Sequence, residues 1–226
     1  MNDSAHRIFH DAQLERTDVA KLYFRYGAMN SGKSTGLLQA AFNYEERGQR
    51  VLLTKPGVDT KGDSRIVSRL GMSRDVDFLI PPTADIRELF ARQAAGDDPD
   101  ALVQHVDSPP VACLLVDEAQ FLTPEQVDDL FRVAILDNVP VLAYGIRSDF
   151  RTHAFPGSRR LLEIAHSLEE LKTICRCGRK AVFNTRRIGT RIIFDGDQVA
   201  IDGDEVWYES LCGACYLEAS NGRLGS

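Results

Sequence analysis

Gly27-Ala28-Met29-Asn30-Ser31-Gly32-Lys33-Ser34-Thr35 fits the pattern G-x-x-x-x-G-K-[ST], and each residue type has a chemical reason to be there. Glycines let the backbone curl around an anion, and the N–H groups and helix N-terminus point at phosphate oxygens. Lys33 adds a mobile positive charge, and the Ser34 hydroxyl is suited to Mg²⁺. The stretch predicts a nucleotide phosphate site formed by residues 27–35. Asp117-Glu118 closes the apolar run Val111 to Val116; an acid there would hold Mg²⁺ with Ser34, and the adjacent Glu118 would take a proton as general base. A surface or helix-capping carboxylate pair is the plainer alternative, and proximity to a P-loop speaks against it. Cys175-Arg176-Cys177 and Cys212-Gly213-Ala214-Cys215 form two cysteine pairs. Four thiolates suit a tetrahedral Zn²⁺, which would be structural because no coordination position is left for water. Redox-labile or merely buried cysteines are the alternative, and Cys113, inside an apolar run, reads as core.

Elements must position these groups. Leu22 to Tyr26 reads as a strand, Lys33 to Arg47 as a helix stopped by Gly48, and Arg50 to Lys55 as a second strand. Pro56 to Asp77 lacks periodicity and reads as a long surface loop. Helices are expected from Ala84 to Ala95 and around Ala101 to Val106. Val111 to Val116 has the continuous apolar character of a strand buried on both faces. Thr123-Pro124-Glu125-Gln126 is a capping box with proline at the first helical position, opening a helix to about Asp137. Val139 to Tyr144 is a further strand, Gly145 to Gly157 a loop, and Leu161 to His166 a helix. Alternating strands and helices predict a parallel sheet with ligands at the strand C-terminal ends. Beyond Leu171, strand-like runs at Ala181 to Arg187 and Arg191 to Phe194 lie between the cysteine pairs.

The expected fold class is α/β: a P-loop NTPase-type parallel sheet flanked by helices, with a small C-terminal zinc-binding β domain, the lasso of the family named below. The expected boundaries are a flexible extension over 1–20, a nucleotide-binding domain over 21–170, the lasso over 171–217 and a flexible tail over 218–226. The chain has 226 residues, of which 43% are hydrophobic and 27% charged, enough for an ordinary packed core. A net charge of −6 gives no overall attraction to nucleic acid or anionic lipid. The polar first residues lack the apolar centre of a signal peptide, and no run is long enough to cross a bilayer. A cytoplasmic protein with no nucleic-acid or membrane partner is expected.

The motifs together resemble those of the type II thymidine kinases over about Leu22 to Tyr216. The resemblance rests on the Gly27 stretch, Val-Asp-Glu-Ala-Gln-Phe-Leu from Val116, Tyr-Gly-Ile-Arg-Ser-Asp-Phe-Arg from Tyr144, Leu-Lys-Thr-Ile-Cys-Arg-Cys-Gly from Leu171, and the segment Tyr208 to Cys215. It implies ATP-dependent phosphorylation of the 5′-hydroxyl of thymidine or deoxyuridine in nucleotide salvage for DNA synthesis. It also implies Mg²⁺, a homotetramer and feedback inhibition by thymidine triphosphate. By resemblance Met29, Phe121, Phe150 and Phe155 surround the base, Tyr208 packs on the deoxyribose, and Val199 and Ile201 offer backbone hydrogen bonds. Lys61 or Arg65 would steady the transferred phosphate. This chain departs from the family pattern in Lys61, where arginine is frequent, and in one extra residue between Ile201 and Tyr208, with Asp202-Gly203 in place of Gly-Gly.

Two other classes compete. Asp117-Glu118-Ala119-Gln120 also resembles the acidic motif of helicases, but such motors usually pair two P-loop-type cores, and basic or aromatic strand-tracking runs are not evident. A nucleotide sensor without turnover would not need Glu118.

Overall fold

The computed structural model describes residues 19–58, 64–96, 109–189, 191–194 and 206–224. The expected helix around Ala101 to Val106, most of the N-terminal extension, Lys61, Val199 and Ile201 lie outside them.

In chain order the elements are β1 (Leu22–Gly27), α1 (Lys33–Glu45), β2 (Arg50–Pro56), β3 (Arg65–Val67), β4 (Ser73–Asp75), β5 (Phe78–Ile80), α2 (Ile86–Ala95), β6 (Val111–Val116), a 3₁₀ turn (Ala119–Phe121), α3 (Pro124–Leu136), β7 (Val141–Gly145) and α4 (Pro156–Ile164). Then follow β8 (Ser167–Leu171), β9 (Thr173–Ile174), β10 (Lys180–Ala181), β11 (Phe183–Ile188), β12 (Arg191–Ile193), β13 (Val206–Leu211) and α5 (Gly213–Ala219).

A six-stranded parallel sheet, ordered β5-β2-β6-β7-β1-β8, forms the centre. Its inner strands are apolar runs, and both faces are covered. Leu52, Leu114, Val116, Val141 and Phe24 pack with α2, α3 and α4 residues such as Phe90, Leu130, Val133 and Leu161 on one side. Leu53, Leu115, Leu142 and Tyr144 pack with Leu37, Leu38 and Ala41 of α1 on the other. Each such buried aliphatic side chain contributes about 1.5–3 kcal/mol through removal from water. The capping box of α3 is formed as expected: the Gln126 N–H donates to the Thr123 hydroxyl, and the Gln126 side chain accepts the Thr123 N–H.

Three expectations need correction. The loop Pro56 to Asp77 contains the β3–β4 hairpin, where Arg65 faces Asp75 at 3.1 Å. The fourth helix starts at Pro156, whose missing N–H suits a first turn, and ends at Ile164, before His166. Ser167–Leu171 is then a strand beside β1 at the sheet edge, where half-exposed polar residues are tolerated. The segment from residue 218, expected as tail, begins within α5, and the buried Ser220 closes that helix by donating to the Arg223 carbonyl at 2.8 Å.

After β8 the pattern turns antiparallel: β10 pairs with β9, and β11 lies between β12 and β13. This part has its own small core of Cys175, Ala181, Leu211, Cys212 and Tyr216.

Candidate active site and thiolate cluster

β1, β6 and β7 end on the same side of the sheet because they run parallel. The P-loop follows β1, Asp117-Glu118 follows β6, and the Gly145 loop follows β7. Gly32 sits at φ 80°, a left-handed conformation that a side chain would strain, and its carbonyl accepts the Gly36 N–H at 2.8 Å. Lys33 folds back into the loop and donates from Nζ to the Ala28 carbonyl at 3.0 Å and the Ser31 hydroxyl at 3.4 Å. That ammonium is thus held inside the loop.

Ser34 joins the P-loop to the acid strand: its hydroxyl donates to Asp117 Oδ2 at 3.0 Å, while Asp117 Oδ1 accepts the Glu118 N–H at 3.0 Å. Burial pushes the Asp117 carboxyl up to about 7, and the Glu118 charge adds to the rise against these two hydrogen bonds. A cation beside Ser34 and Asp117 would relieve that penalty, so the donor set fits a divalent metal with oxygen ligands. Glu118 lies at φ 48° and ψ 37°, a sparsely populated conformation for a residue with a side chain, of the kind found at functional sites. One cleft is lined by Ser34, Lys55, Arg65, Ile66, Val67, Asp117 and Glu118 together.

The aromatic candidates divide. Phe121 and Phe155 pack edge to face with centroids 5.7 Å apart, beside the turn that follows Glu118. Phe150 is buried against the antiparallel part: Arg186 stacks over its ring at 5.3 Å, and the Tyr216 hydroxyl donates to its carbonyl at 3.2 Å. Met29 is drawn to the same place. Its N–H donates to Asn184 Oδ1 at 2.7 Å, and its carbonyl accepts the Ser210 hydroxyl at 2.6 Å. Tyr208, half-buried on β13, stands opposite Arg186.

Sequence reasoning gave no role to Lys55, Gln120, Asn184 or Ser210. Lys55 had a faint signal as a lysine ending a buried strand at the ligand side of the sheet. Asn184 and Ser210 act through Met29, distant in sequence, and Gln120 joins its near neighbour Glu118 to the distant Ile146.

The Sγ atoms of Cys175, Cys177, Cys212 and Cys215 all lie within 4.8 Å of one another. Cys177 and Cys212 are 3.6 Å apart, close to the separation of about 3.8 Å that tetrahedral Zn–S bonds of 2.3 Å imply. Burial pushes the Cys175 thiol up, but the N–H groups of Cys177 and Cys212 outweigh it and hold the thiol at about 6. Cys215, sharing hydrogen bonds with the other three, is driven up to about 12. Four sulfurs competing for protons in this way are suited to a shared cation.

The sheet order, the P-loop and the facing acids define a P-loop phosphotransferase fold with a four-thiolate appendage. Residues 20–216 match the family described as Thymidine kinase, and the chain belongs to that family. A thymidine kinase of Ruegeria pomeroyi is 46% identical over 204 residues, covering 89% of this chain and 96% of its own length. That of Chromobacterium violaceum is 45% identical over 200 residues, covering 88% and 98%. Among solved structures, one titled as the structural basis for DNA unwinding by two coordinating Pif1 helicases covers 73% of this chain and 41% of its own, at 14% identity and a TM-score of 0.32; that likeness carries no weight here. The protein is an ATP-dependent phosphotransferase acting on thymidine.

Proposed function

We propose that Glu118 is the general base of this kinase and that deoxyuridine is a second acceptor. The observation carrying the first part is the placement of Glu118 beside Asp117 and Ser34, in the cleft at the mouth of the P-loop. The 5′-hydroxyl oxygen forms a bond to the γ-phosphorus of ATP as the bond to the bridging oxygen breaks and ADP leaves. The hydroxyl proton passes to the Glu118 carboxylate. Lys33, freed from Ala28 and Ser31, meets the charge on the phosphates, and residues 27–35 bind them through backbone N–H groups. Arg65 faces the same cleft and steadies the transferred group; Lys61 is its partner in this reading. Ser34 and Asp117 would hold Mg²⁺, which when bound supplies charge neutralisation on the phosphates.

Met29, Phe121, Phe150 and Phe155 enclose the base, Tyr208 covers the sugar, and Val199 and Ile201 hydrogen-bond the base edge. Deoxyuridine lacks one ring methyl, a difference worth about 1–3 kcal/mol in an apolar pocket. It is therefore used at higher concentration. The cysteines hold a structural Zn²⁺ in a cytoplasmic, reducing setting. Residues 21–170 and 171–217 are separate units of one homotetramer subunit that thymidine triphosphate inhibits by feedback.

Glu118→Gln tests the base directly. Turnover should fall by about 10² or more while nucleotide binding persists, because the substitution keeps size and removes the proton acceptor. Near-parental turnover overturns the assignment. Incubating the parent with ATP, Mg²⁺ and either thymidine or deoxyuridine, followed by mass identification of monophosphates, tests the acceptor range.

A further inference from the structure

Gln120 is among the most enclosed polar residues of the chain, 2% exposed in the turn Ala119–Phe121. Its Nε2 donates to Glu118 Oε2, and its Oε1 accepts the Ile146 N–H at 3.1 Å. A backbone N–H only donates and a carboxylate only accepts, so these two partners fix which way round the amide lies. The far wall is equally definite. Gly145 ends β7, and a Cβ there would stand 2.8 Å from Gln120 Oε1 and 3.2 Å from the Gln120 nitrogen. The end of β7 thus packs closely on the amide, with no room for a side chain at Gly145 unless Gln120 shifts.

Glu118 needs such support. It follows the last strand residues in a left-handed conformation, and its side chain lines an open cleft, where several rotamers would otherwise compete. With Oε2 committed to Gln120, Oε1 is the oxygen left for a substrate proton. We propose that Gln120 is a positioning residue that ties the Glu118 carboxylate to the backbone at Ile146, so that the base is aimed at the acceptor hydroxyl before substrate arrives. This rests on the reading of Glu118 as the base. Small displacements of a reacting group are costly, on the order of 10²-fold for about 1 Å.

Gln120→Glu separates aiming from support. The new side chain keeps an oxygen for the Ile146 N–H but presents Glu118 with a second carboxylate instead of a donor. Its kcat should fall about 10-fold to 100-fold with the KM for ATP close to the parent, while the thermal unfolding midpoint drops because a second carboxylate is buried beside Glu118. Gln120→Met, which cannot make either bond in its original form, should lose at least as much kcat and serves as the second variant if the first is poorly folded. The same two changes made in Glu118→Gln should cost little further, since the group being aimed has gone. Parental kcat in both single variants overturns the proposal, as does an equal loss with and without Glu118. Should Glu118→Gln alone retain turnover, the base assignment itself has failed, an outcome distinct from failure of Gln120 to support a working base.

Discussion

The parallel and antiparallel parts of the molecule meet at Met29 and are built by opposite means. The parallel sheet buries apolar strands on both faces, and its cores extend through α1 on one side and α2 to α4 on the other. The antiparallel part has Cys175, Ala181, Leu211, Cys212 and Tyr216 as its buried centre, two of them thiols. Among the described residues so small an apolar cluster offsets little chain entropy, and closing the segment between the cysteine pairs through a metal would supply what burial does not. One part has two extended apolar cores, while the other has a small core beside four thiolates suited to an ion; the two are joined where Asn184 and Ser210 of the antiparallel part hold the P-loop backbone.

The sharpest way to isolate the parallel part is Lys33→Ala. The residue is buried and its ammonium already lies within the loop, so its loss removes the preorganised charge proposed to meet the transferring phosphate. Turnover should fall by about 10³-fold or more, with zinc content unchanged. Steady-state rates and metal analysis check both statements. A rate near that of the parent would show that the charge at the γ-phosphate comes from elsewhere, with Lys55 and Arg65 of the same cleft the next residues to change.

Cys212→Ser attacks the other part. It should release zinc, and the thymidine KM should rise by an order of magnitude or more with a smaller rise in the ATP KM, since Tyr208 lies four residues from the lost ligand whereas the P-loop feels the loosened part only through Asn184 and Ser210. The magnitude follows from loss of a preorganised binding segment, worth about 1.4 kcal/mol per tenfold. Zinc content and both KM values are the measurements. A zinc-free variant that binds thymidine as tightly as the parent would give the metal another purpose.

The same contrast explains what could be read in the sequence. The P-loop, the Asp117-Glu118 pair and the four cysteines were legible because their chemistry demands particular residue types at short spacing. The inner strands and the capping box of α3 announced themselves by continuous apolar runs and by Thr123-Pro124. Edge strand β8, with the sequence Ser-Leu-Glu-Glu-Leu, carries no such run. Its pairing with β1 comes from position in the sheet and not from its own pattern. Gln120 and Asn184 were illegible for a related reason: their partners Ile146 and Met29 lie 26 and 155 residues away, and only the folded sheet brings them together.

The smallest expected effect lies at the junction. Asn184 is buried and spans three segments, accepting the Met29 N–H at 2.7 Å and donating from Nδ2 to the Ser148 carbonyl at 2.9 Å. Asn184→Ala leaves a P-loop N–H and a carbonyl of the Gly145 loop without their partner, and each buried orphan costs about 1–3 kcal/mol unless water reaches it. Ser210→Ala removes only the donor to the Met29 carbonyl at 2.6 Å, a loss of about 0.5–1.5 kcal/mol. The expected order is therefore Asn184→Ala above Ser210→Ala, both below zinc loss, with a lower thermal unfolding midpoint and KM increases for thymidine and ATP together. The joint rise is the informative feature, because Met29 belongs to the loop that binds phosphate and its side chain to the proposed base pocket. Isothermal titration with each ligand, alone and in the presence of the other, reads it directly. Weakening confined to thymidine would place Met29 wholly on the acceptor side and show that the P-loop keeps its shape without help from the antiparallel strands.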